Sequence, residues 1–376
     1  MSQTRLQTFV SVAPGLEPLL LRELTRIAPD AAFKRLPGGA EAFVDPVAMS
    51  RIVDVSRIAE SVRIRIGHLT ATSFAELEQA LEKLNWHAWL PDATHVSIRV
   101  TCHRSRLYHS DAVAERVARC LIRRGCHVGD EGATQRLYVL FDRDRATLSL
   151  DAAGYRLYQR GQRTHVAIAS LRETLAAALV SCVPESTTTL VDPFCGAGTL
   201  LIEAAHAWGT VQARPEAPDE GQGATPAWHA WPALRSVSSQ TPRLRTMPRV
   251  MRLFGGDLDA RALDACAHNL RDAVPGSERH LARQDAAETV AAAPEGAWVV
   301  ANPPYGHRLP PRELMQVFAR MGDAIASSRV QGCVVMNGFP DFVRATRLPW
   351  ERMLGTNNRG IPVEFLRWTR EESRNK

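Results

Sequence analysis

The residues best suited to chemistry lie in two short segments, each placed where an apolar run of strand type ends. The first is Asp-Pro-Phe-Cys-Gly-Ala-Gly-Thr at 192–199, and the second is Asn-Pro-Pro-Tyr at 302–305. Glycine lets a backbone turn sharply and approach a ligand closely, which suits the first segment to a small charged cofactor. The second segment joins an amide acceptor to rigid prolines and an aromatic ring, which suits it to holding a planar amine.

The glycine segment indicates which kind of cofactor is bound. It follows an apolar strand ending in Asp192 and precedes an apolar helix, a context in which the first loop of a doubly wound sheet forms the floor of a ligand site. It lacks the Gly-Lys-Ser ending of a nucleotide triphosphate loop, and a carboxylate at the strand end repels pyrophosphate but attracts an ammonium group. S-adenosylmethionine carries an ammonium and a sulfonium, so we infer it as the cofactor. A lone Gly-X-Gly, such as Gly196 and Gly198, also occurs in purely structural turns.

Acidic residues follow the next two predicted strands. Asp257 and Asp259 come after the strand that includes 252–254, and Asp285 comes where a third strand should end. One carboxylate can accept hydrogen bonds from both ribose hydroxyls, as in dinucleotide folds, and Asp285 could accept one from the adenine amine. Taken singly, each acid fits a helix cap or a turn residue better than a cofactor contact, whereas acids in register after successive strands favour the cofactor.

The second segment predicts the nucleophile. An exocyclic base amine is a poor nucleophile because its lone pair is delocalised into the ring. Accepting its N–H bonds with the side-chain oxygen of Asn302 and the carbonyl of Pro303 directs that lone pair toward an electrophile, while Pro304 stiffens the loop and Tyr305 offers a face for stacking. Positioning and electrostatics then supply most of the catalysis, with no metal and no covalent nucleophile. The competing interpretation is a proline-rich turn after a strand.

The elements that position these residues are of two kinds. Up to about residue 150, strands and helices form two small α+β units, whereas from about 170 strand, loop and helix alternate, which is typical of a parallel sheet with crossover helices. The predicted fold class is α/β, with a doubly wound Rossmann-like sheet after the two α+β units. The predicted domains are 1–66, 67–160 and 161–376. Residues 210–249 show no periodicity and are predicted to be a long loop.

Composition narrows the class of protein. The 376 residues are 45% hydrophobic and 23% charged, as in a globular protein, and the net charge of +6 permits an anionic partner. No apolar run is long enough for a membrane span and no secretion signal is visible, so we expect a cytoplasmic location. The seven cysteines include no CxxC pair, so we expect reduced thiols and no metal site.

Several segments resemble a known family. LRETLAAALV, LVDPFCGAGTLLIEAA, GGDLDARALDACAHNL and ANPPYGHRL resemble the methyltransferase domain of class I RNA guanine methyltransferases that carry a THUMP domain. They are especially similar to the N-terminal half of the bifunctional bacterial large-subunit rRNA methyltransferase. VAPGLEPLLLREL resembles that family's ferredoxin-like opening unit, and SRLYHSDAVAERVARCL with LSLDAAGYRLYQRGQR resembles its THUMP segment.

The resemblance implies S-adenosylmethionine as donor, the 2-amino group of a guanosine in structured RNA as acceptor, and RNA capture by the N-terminal units. It places the cofactor against residues of the glycine loop and the strand ends, and the base against the Asn-Pro-Pro-Tyr loop. The implied cofactor residues are Asp192, Pro193, Cys195, Gly196, Gly198, Thr199, Asp257, Asp259, Asp285, Glu173 and Thr174. The implied catalytic residues are Asn302, Pro303, Pro304 and Tyr305.

Some alternatives stay open. After the Asn-Pro-Pro-Tyr-Gly sequence the family usually has Glu-Arg, whereas this chain has His307-Arg308. Ribosomal RNA is favoured over transfer RNA, and enzymes that methylate DNA adenine or protein glutamine share similar loops. A non-catalytic RNA-binding assembly factor is the non-enzyme alternative, although RNA binding alone would need neither the glycine loop nor Asn302.

Overall fold

The computed structural model describes residues 5–160, 165, 171–213, 225–238, 240–305 and 309–371. The chain forms two compact units. The first consists of Met1–Val12, Leu21–Leu157 and Gly223–Arg243, and the second of Ala13–Leu20, Tyr158–Gln222 and Leu244–Lys376. The three-domain division at residues 66 and 160 stays a prediction, although strands from both predicted N-terminal units share one sheet.

The N-terminal part of the chain begins with the ferredoxin-like order β-α-β-β-α-β. Its strands are β1 (Leu6–Ser11), β2 (Lys34–Leu36), β3 (Gly39–Val44), β4 (Ser61–Thr70), β5 (His95–His103), β6 (His127–Val128), β7 (Gln135–Asp142) and β8 (Arg145–Asp151). Its helices are α1 (Glu17–Ile27), α2 (Pro46–Val55), α3 (Phe74–Glu82) and α4 (Ser110–Arg123). The strands form one eight-stranded sheet in the order β2-β3-β1-β4-β8-β7-β5-β6.

Local sequence accounts for these helices. Asp45 caps α2 by accepting a hydrogen bond from the Ala48 N–H, and Pro46 occupies the first turn, where its missing N–H costs nothing. Helix α4 buries Val113 and Val117 with Cys120 and Leu121 on one face, as their spacing predicts. Both helices contact strands of the sheet, so the core of this unit lies between them and one sheet face.

The second part of the chain alternates strands and helices as predicted. Its strands are β9 (Thr189–Asp192), β10 (Thr210–Ala213), β11 (Leu244–Met247), β12 (Arg252–Asp257), β13 (Glu278–Arg283), β14 (Trp298–Ala301), β15 (Gly332–Asn337), β16 (Glu351–Asn358) and β17 (Ile361–Thr369). Its helices are α5 (Glu173–Val180), α6 (Thr199–Ala207), α7 (Arg235–Ser238), α8 (Ala260–Ala273), α9 (Ala286–Ala291), α10 (Pro311–Ser327) and α11 (Phe342–Thr346).

Seven of these strands form a doubly wound sheet in the order β13-β12-β9-β14-β15-β17-β16. The pairs from β13 to β15 are parallel, and β17 joins antiparallel to both β15 and β16. Strand order reverses at β9, since the chain builds one side of the sheet with β12 and β13 before it returns to β14. Ligands of such sheets bind beyond the carboxyl end of the strand at which the order reverses. The predicted Rossmann-like fold is therefore confirmed.

The prediction of a long loop over 210–249 is wrong for the part that the structure describes. Strands β10 and β11 pair as an antiparallel ribbon. Residues 225–238, here called the tryptophan segment, contain two 3₁₀ turns, at Ala227–Ala230 and Pro232–Leu234, followed by α7. These elements are too short to repeat a helical or strand period, which explains why no pattern was visible.

The tryptophan segment is anchored in the core of the first unit. The indoles of Trp228 and Trp231 are 0% and 1% exposed. Trp231 donates its Nε1–H to Oε1 of Gln135 at 2.8 Å and packs edge-on against Trp89, with ring centroids 5.5 Å apart. Two backbone hydrogen bonds, from the N–H groups of 227 and 228 to the carbonyls of 153 and 152, hold its start.

All seven cysteines are free thiols, and six of them are buried. Within the described ranges no cluster of three or more His, Cys, Asp or Glu side chains has the arrangement needed to hold a metal ion. None of the helices in those ranges combines the length and the apolar character required to cross a bilayer.

Candidate active site

Asp192 lies at the carboxyl end of β9, the strand at which the order of the seven-stranded sheet reverses. Its side chain is buried, and its Oδ1 accepts a hydrogen bond from the Phe194 N–H at 3.0 Å. Burial raises the pKa of Asp192 to about 8, the Phe194 bond opposes the rise, and the nearby Asp257 carboxylate adds to it. A buried carboxylate without a cation is costly, so this position favours a ligand that brings a positive charge.

The two glycines of the loop have conformations that other residues rarely adopt. Gly196 has φ +51° and Gly198 has φ +85°. A Cβ built on Gly196 meets none of the described residues within 4 Å, whereas one on Gly198 lies 2.9 Å from Sγ of Cys266. Gly198 is thus required both by its backbone and by close packing on α8, and Gly196 leaves open space above the loop for a ligand.

Asp257 ties this loop to the neighbouring strand. Its Oδ2 accepts a hydrogen bond from the Gly196 N–H at 3.0 Å, and its Oδ1 accepts one from the Asp259 N–H at 2.9 Å. A carboxylate offers about four lone-pair sites, so these two bonds leave capacity for ribose hydroxyls. Asp259 caps α8 by accepting from the Arg261 N–H at 3.0 Å, which is the structural role left open by the sequence.

Asp285 follows β13 at the same edge but is engaged elsewhere. It caps α9 in a capping box with Glu288, and its Oδ2 forms an ion pair with Arg320 at 2.7 Å. Asp285 therefore has the helix-capping role that the sequence analysis gave as its alternative to adenine binding. Contact with adenine stays a prediction, and it would have to use the lone pairs that these partners leave free.

Asn302 directly follows β14, which pairs in parallel with β9, so its loop begins at the edge where Asp192 lies. The Oδ1 atom of Asn302 is buried and has no hydrogen-bond partner among the described residues. Buried acceptors in folded proteins are nearly always paired, so an unpaired one at a sheet edge indicates a missing donor. A base amine is a donor of this kind.

A second unpaired atom belongs to the first turn of α5. Thr174 is 3% exposed, and its Oγ1 is buried without a partner in the described part of the chain. Glu173 precedes it and is half-buried. These two residues, which the resemblance placed beside the cofactor, therefore include one polar atom that is ready to accept or donate a bond.

Tyr305 is buried, with 7% of its surface exposed. Its hydroxyl accepts a hydrogen bond from Nδ2 of Asn358 at 2.6 Å. Its ring packs against Gly338, where an added Cβ would come within 2.7 Å of the ring. The observed contacts are those of a residue that supports the loop, and stacking on a base stays a prediction. Pro303 is buried and Pro304 half-buried, whereas His307 lies outside the described residues.

The remaining candidate residues of this loop, Pro193, Cys195 and Thr199, are buried. Pro193 and Thr199 are shielded from solvent, and Thr199 is the first residue of α6. A hydrogen bond with Cys266 raises the pKa of the Cys195 thiol, and burial raises it further. Cys195 is therefore a neutral thiol, and it contributes packing and not charge.

Sequence reasoning missed Asn269, a fully buried residue of α8. Its Nδ2 donates to the Ala197 carbonyl at 3.0 Å and to the His165 carbonyl at 2.8 Å, while its Oδ1 accepts from the His165 N–H at 3.0 Å. One side chain thus joins the glycine loop to residue 165. The sequence feature that could have identified Asn269 is its position beside Leu270, where an amide side chain falls on the apolar face of an amphipathic helix.

The cofactor fits these residues. S-adenosylmethionine brings a cation for buried Asp192, hydroxyls for the free lone pairs of Asp257, and surface that fits the open space above Gly196. All of these residues belong to the second compact unit.

Comparisons with known proteins agree with this geometry. Residues 160–361 match the RMKL-like methyltransferase domain, and residues 71–151 match the THUMP domain. The solved protein SMU.472, assigned as a methyltransferase and complexed with SAH, is 19% identical with a TM-score of 0.79 over 98% of this chain and 99% of its own.

Two further solved structures are similar. TrmN from Thermus thermophilus is 20% identical with a TM-score of 0.72, over 97% of this chain and 99% of that protein. A predicted N6-adenine-specific DNA methylase from Listeria monocytogenes is 25% identical with a TM-score of 0.72, over 97% of each chain. The domain match covers more than half of this sequence. The chain therefore belongs to the RMKL-like methyltransferase family, carries a THUMP domain, and is an S-adenosylmethionine-dependent methyltransferase.

Proposed function

We propose that this enzyme methylates the exocyclic 2-amino group of a guanosine in structured RNA, with large-subunit ribosomal RNA as the first substrate to test. The observation that carries this proposal is the Oδ1 of Asn302, which is buried at the sheet edge shared with Asp192 and is paired with none of the described residues. An amine whose N–H bonds are accepted there faces the side of the sheet at which the cofactor residues converge.

Methyl transfer requires the enzyme to position the base amine against the methyl group more than to activate either of them. S-adenosylmethionine supplies a methyl group bonded to a cationic sulfur. The amine nitrogen of the base forms a bond to the methyl carbon, the carbon–sulfur bond breaks with its electron pair left on sulfur, and the amine releases one proton to solvent. Asn302 orients the attacking lone pair, and the carbonyl of Pro303 is the second acceptor that we assign to the amine.

RNA is favoured by the match to a THUMP domain and by the resemblance of the first 160 residues to RNA methyltransferases. A base stacked in a duplex cannot present its amine to the cofactor, so the target guanosine must be unpaired or turned out of its helix. We also expect the enzyme to act in the cytoplasm.

Methylation of adenine N6 is the second candidate. The Listeria neighbour carries the description of a DNA adenine methylase, and the adenine amine would meet the same two acceptors. Transfer RNA is the alternative RNA substrate. A glutamine methyltransferase is less well supported, because the THUMP match has no evident use in modifying a protein.

The test is an assay of the purified enzyme with isotopically labelled S-adenosylmethionine on ribosomal RNA, transfer RNA and DNA from cells that lack the gene. Nucleoside mass spectrometry should find N2-methylguanosine in ribosomal RNA. Label in transfer RNA would indicate that transfer RNA is the substrate, and label in adenine would indicate that adenine is the methylated base. Absence of label in all nucleic acids would contradict the proposal.

A further inference from the structure

The hairpin formed by β16 and β17 ends beside the candidate active site. Asn358, the last residue of β16, pairs with Ile361, so two residues connect the strands. Both of them, Arg359 and Gly360, have positive φ, at +53° and +89°. Two-residue turns of this kind match the twist of the strands that they join, and the Gly360 N–H also donates to Oδ1 of Asn357 at 2.5 Å. The end of β16 is therefore held in a defined position.

From this position Asn358 reaches Tyr305. Its Nδ2 donates to the tyrosine hydroxyl at 2.6 Å, although β15 and β17 separate β16 from β14 in the sheet. Gly338, which directly follows β15, contacts the other end of the same ring, since an added Cβ there would lie 2.7 Å from Cδ2 and 2.8 Å from Cγ of Tyr305. The ring is therefore held at its hydroxyl and near its Cβ by two separate segments, all within the second compact unit.

The position of Tyr305 constrains Asn302 at the other end of the same loop. Strand β14 pairs with both β9 and β15, so the loop begins at a fixed point. Pro303 and Pro304 each fix their own φ near about −65°, which leaves few torsions free before Tyr305. The Oδ1 of Asn302 is buried, and none of the described residues pairs with it. The direction of this acceptor therefore depends on the backbone on either side, and on Tyr305 in particular.

We propose that Asn358 is a positioning residue for methyl transfer. Its hydrogen bond to Tyr305 holds the 302–305 loop in the geometry in which Asn302 meets the target amine. Neither Asn358 nor Tyr305 belongs to the residues assigned to the cofactor, so loss of the bond should lower turnover and leave cofactor binding unchanged. A displacement of about 1 Å at a reacting group is enough to slow a reaction strongly. The inference rests on the proposed function only in the role of Asn302, and it holds for a guanine or an adenine amine.

The first test is a double-variant cycle. Asn358→Ala and Tyr305→Phe each remove the hydrogen bond, and the phenylalanine keeps an aromatic ring against Gly338. Steady-state kinetics are measured with labelled S-adenosylmethionine and whichever nucleic acid accepts the label. We expect each variant to lower kcat by about tenfold with KM for S-adenosylmethionine unchanged, and the double variant to lower kcat no further, because all three lack the same bond. Losses that multiply to about a hundredfold in the double variant would overturn the proposal.

A matched pair of glycine variants approaches the ring from its other end. Gly338→Ala pushes an added Cβ against the Tyr305 ring, so the ring must move. Gly332→Ala, at the start of β15, makes the same kind of clash with the ring of Trp298, at 2.5 Å from Cη2, but at the end of β14 away from Asn302. Both variants should lower the melting temperature, and only Gly338→Ala should lower kcat. Equal losses of kcat in the two variants would overturn the proposal, because they would show a general effect of packing.

Hydrogen exchange tests the loop without any nucleic acid. Proline has no N–H, so exchange within residues 302–305 reports only on the amides of Asn302 and Tyr305. Measured by mass spectrometry, Asn358→Ala should exchange faster there than the native enzyme, while residues 192–199 exchange at the native rate. Unchanged exchange at 302–305 would overturn the proposal. Faster exchange in an enzyme that methylates no nucleic acid would leave Asn358 as the residue that holds the loop and would remove the proposed function.

Discussion

The two large sheets of this molecule leave different surfaces accessible. In the seven-stranded sheet the candidate site lies beyond the strand ends, on loops that start at Asp192 and Asn302. In the eight-stranded sheet a groove lies on an open face, lined by side chains that alternate along the strands. A parallel sheet has both faces covered by crossover helices, so only its ends are free, whereas a largely antiparallel sheet needs cover on one face only.

This difference predicts how a site of each kind responds to change. Sites at strand ends depend on backbone geometry and on buried polar atoms, so single substitutions should abolish function. A site on a sheet face distributes its contacts over several strands, so single substitutions there should be graded. The following predictions test the strand-end side of this contrast, from the largest expected effect to the smallest.

Replacing Asn302 with Ala should have the largest effect. Removing one preorganised polar contact to a reacting group typically costs a factor of about 10²–10³ in turnover. We expect a loss of this size in methyl transfer, measured with labelled cofactor, while calorimetric affinity for S-adenosylmethionine stays the same. Gln331→Ala removes an exposed amide from the same unit and serves as the control. Unchanged turnover in the Asn302 variant would remove its assigned role.

Replacing Gly198 with Ala should weaken cofactor binding by about tenfold or more. The new Cβ would lie 2.9 Å from Sγ of Cys266 at φ +85°, so the loop must shift. Gly296 provides a matched control, since its φ is +76° but an added Cβ would meet no atom within 4 Å in the part of the chain that the structure describes. Gly296→Ala should therefore cost only the backbone strain of about 1 kcal/mol in thermal unfolding and leave cofactor affinity intact. Equal cofactor affinities in the two variants would contradict this assignment.

Replacing Asn269 with Ala should raise KM for S-adenosylmethionine more than it lowers kcat. The change leaves the peptide groups of His165 and the Ala197 carbonyl without their partner, which costs about 1–3 kcal/mol of stability. Steady-state kinetics together with a melting curve separate the two effects. Asn269→Asp keeps the acceptor for the His165 N–H but sets a carboxyl oxygen against the carbonyls of His165 and Ala197, so it should not recover the affinity. A proportional loss of active enzyme, with KM unchanged, would indicate a role in stability alone.

The pH dependence of cofactor affinity should be moderate. Asp192 has a folded-state pKa of about 8, above the ordinary value of 3.8, so it is protonated in the free enzyme at neutral pH. The folded chain binds more protons than the unfolded chain between these values. The stability from Asp192 is therefore fully present below about pH 4 and is lost as the pH rises through 8.

An ammonium ligand prefers the ionised carboxylate, so affinity for S-adenosylmethionine should increase as the pH rises from 6 to 8, by at most about tenfold per pH unit. Calorimetric titrations at several pH values measure this. Asp192→Asn should bind more weakly and lose the dependence, whereas Asp259→Asn, at an exposed cap, should retain it. A flat profile in the native enzyme would mean that Asp192 does not meet the cation.

The sequence predicted the parallel sheet well, because its strands and helices differ clearly in period and its loops carry glycine or proline at the turns. Asp192, Asp257 and Asn302 could be singled out from the sequence because Asp192 and Asp257 end predicted strands and Asn302 directly follows one, at the edge of the sheet where ligands bind. Asp285 was less informative, since an acid before Ala286–Ala291 fits a helix cap equally well, and the cap is what the structure shows.

Other features could not be read from the sequence for physical reasons. Asn269 acts through hydrogen bonds to residues 72 and 104 positions away, and long-range pairing of this kind leaves no local pattern. The burial of the Tyr305 ring against Gly338 depends on the neighbouring strand β15. The groove needed the register of five strands, which alternation alone does not supply.

The tryptophan segment has a consequence for attempts to divide this protein. The first unit takes two of its buried indoles, Trp228 and Trp231, from beyond residue 224. A fragment cut after residue 160 would therefore leave Oε1 of Gln135 without its donor and would remove the ring that packs on Trp89. Deleting a buried tryptophan typically costs about 3–5 kcal/mol, a large share of the stability of a single domain. Transplanting the THUMP domain into another enzyme together with its packed indoles would therefore require grafting two separate stretches of polypeptide.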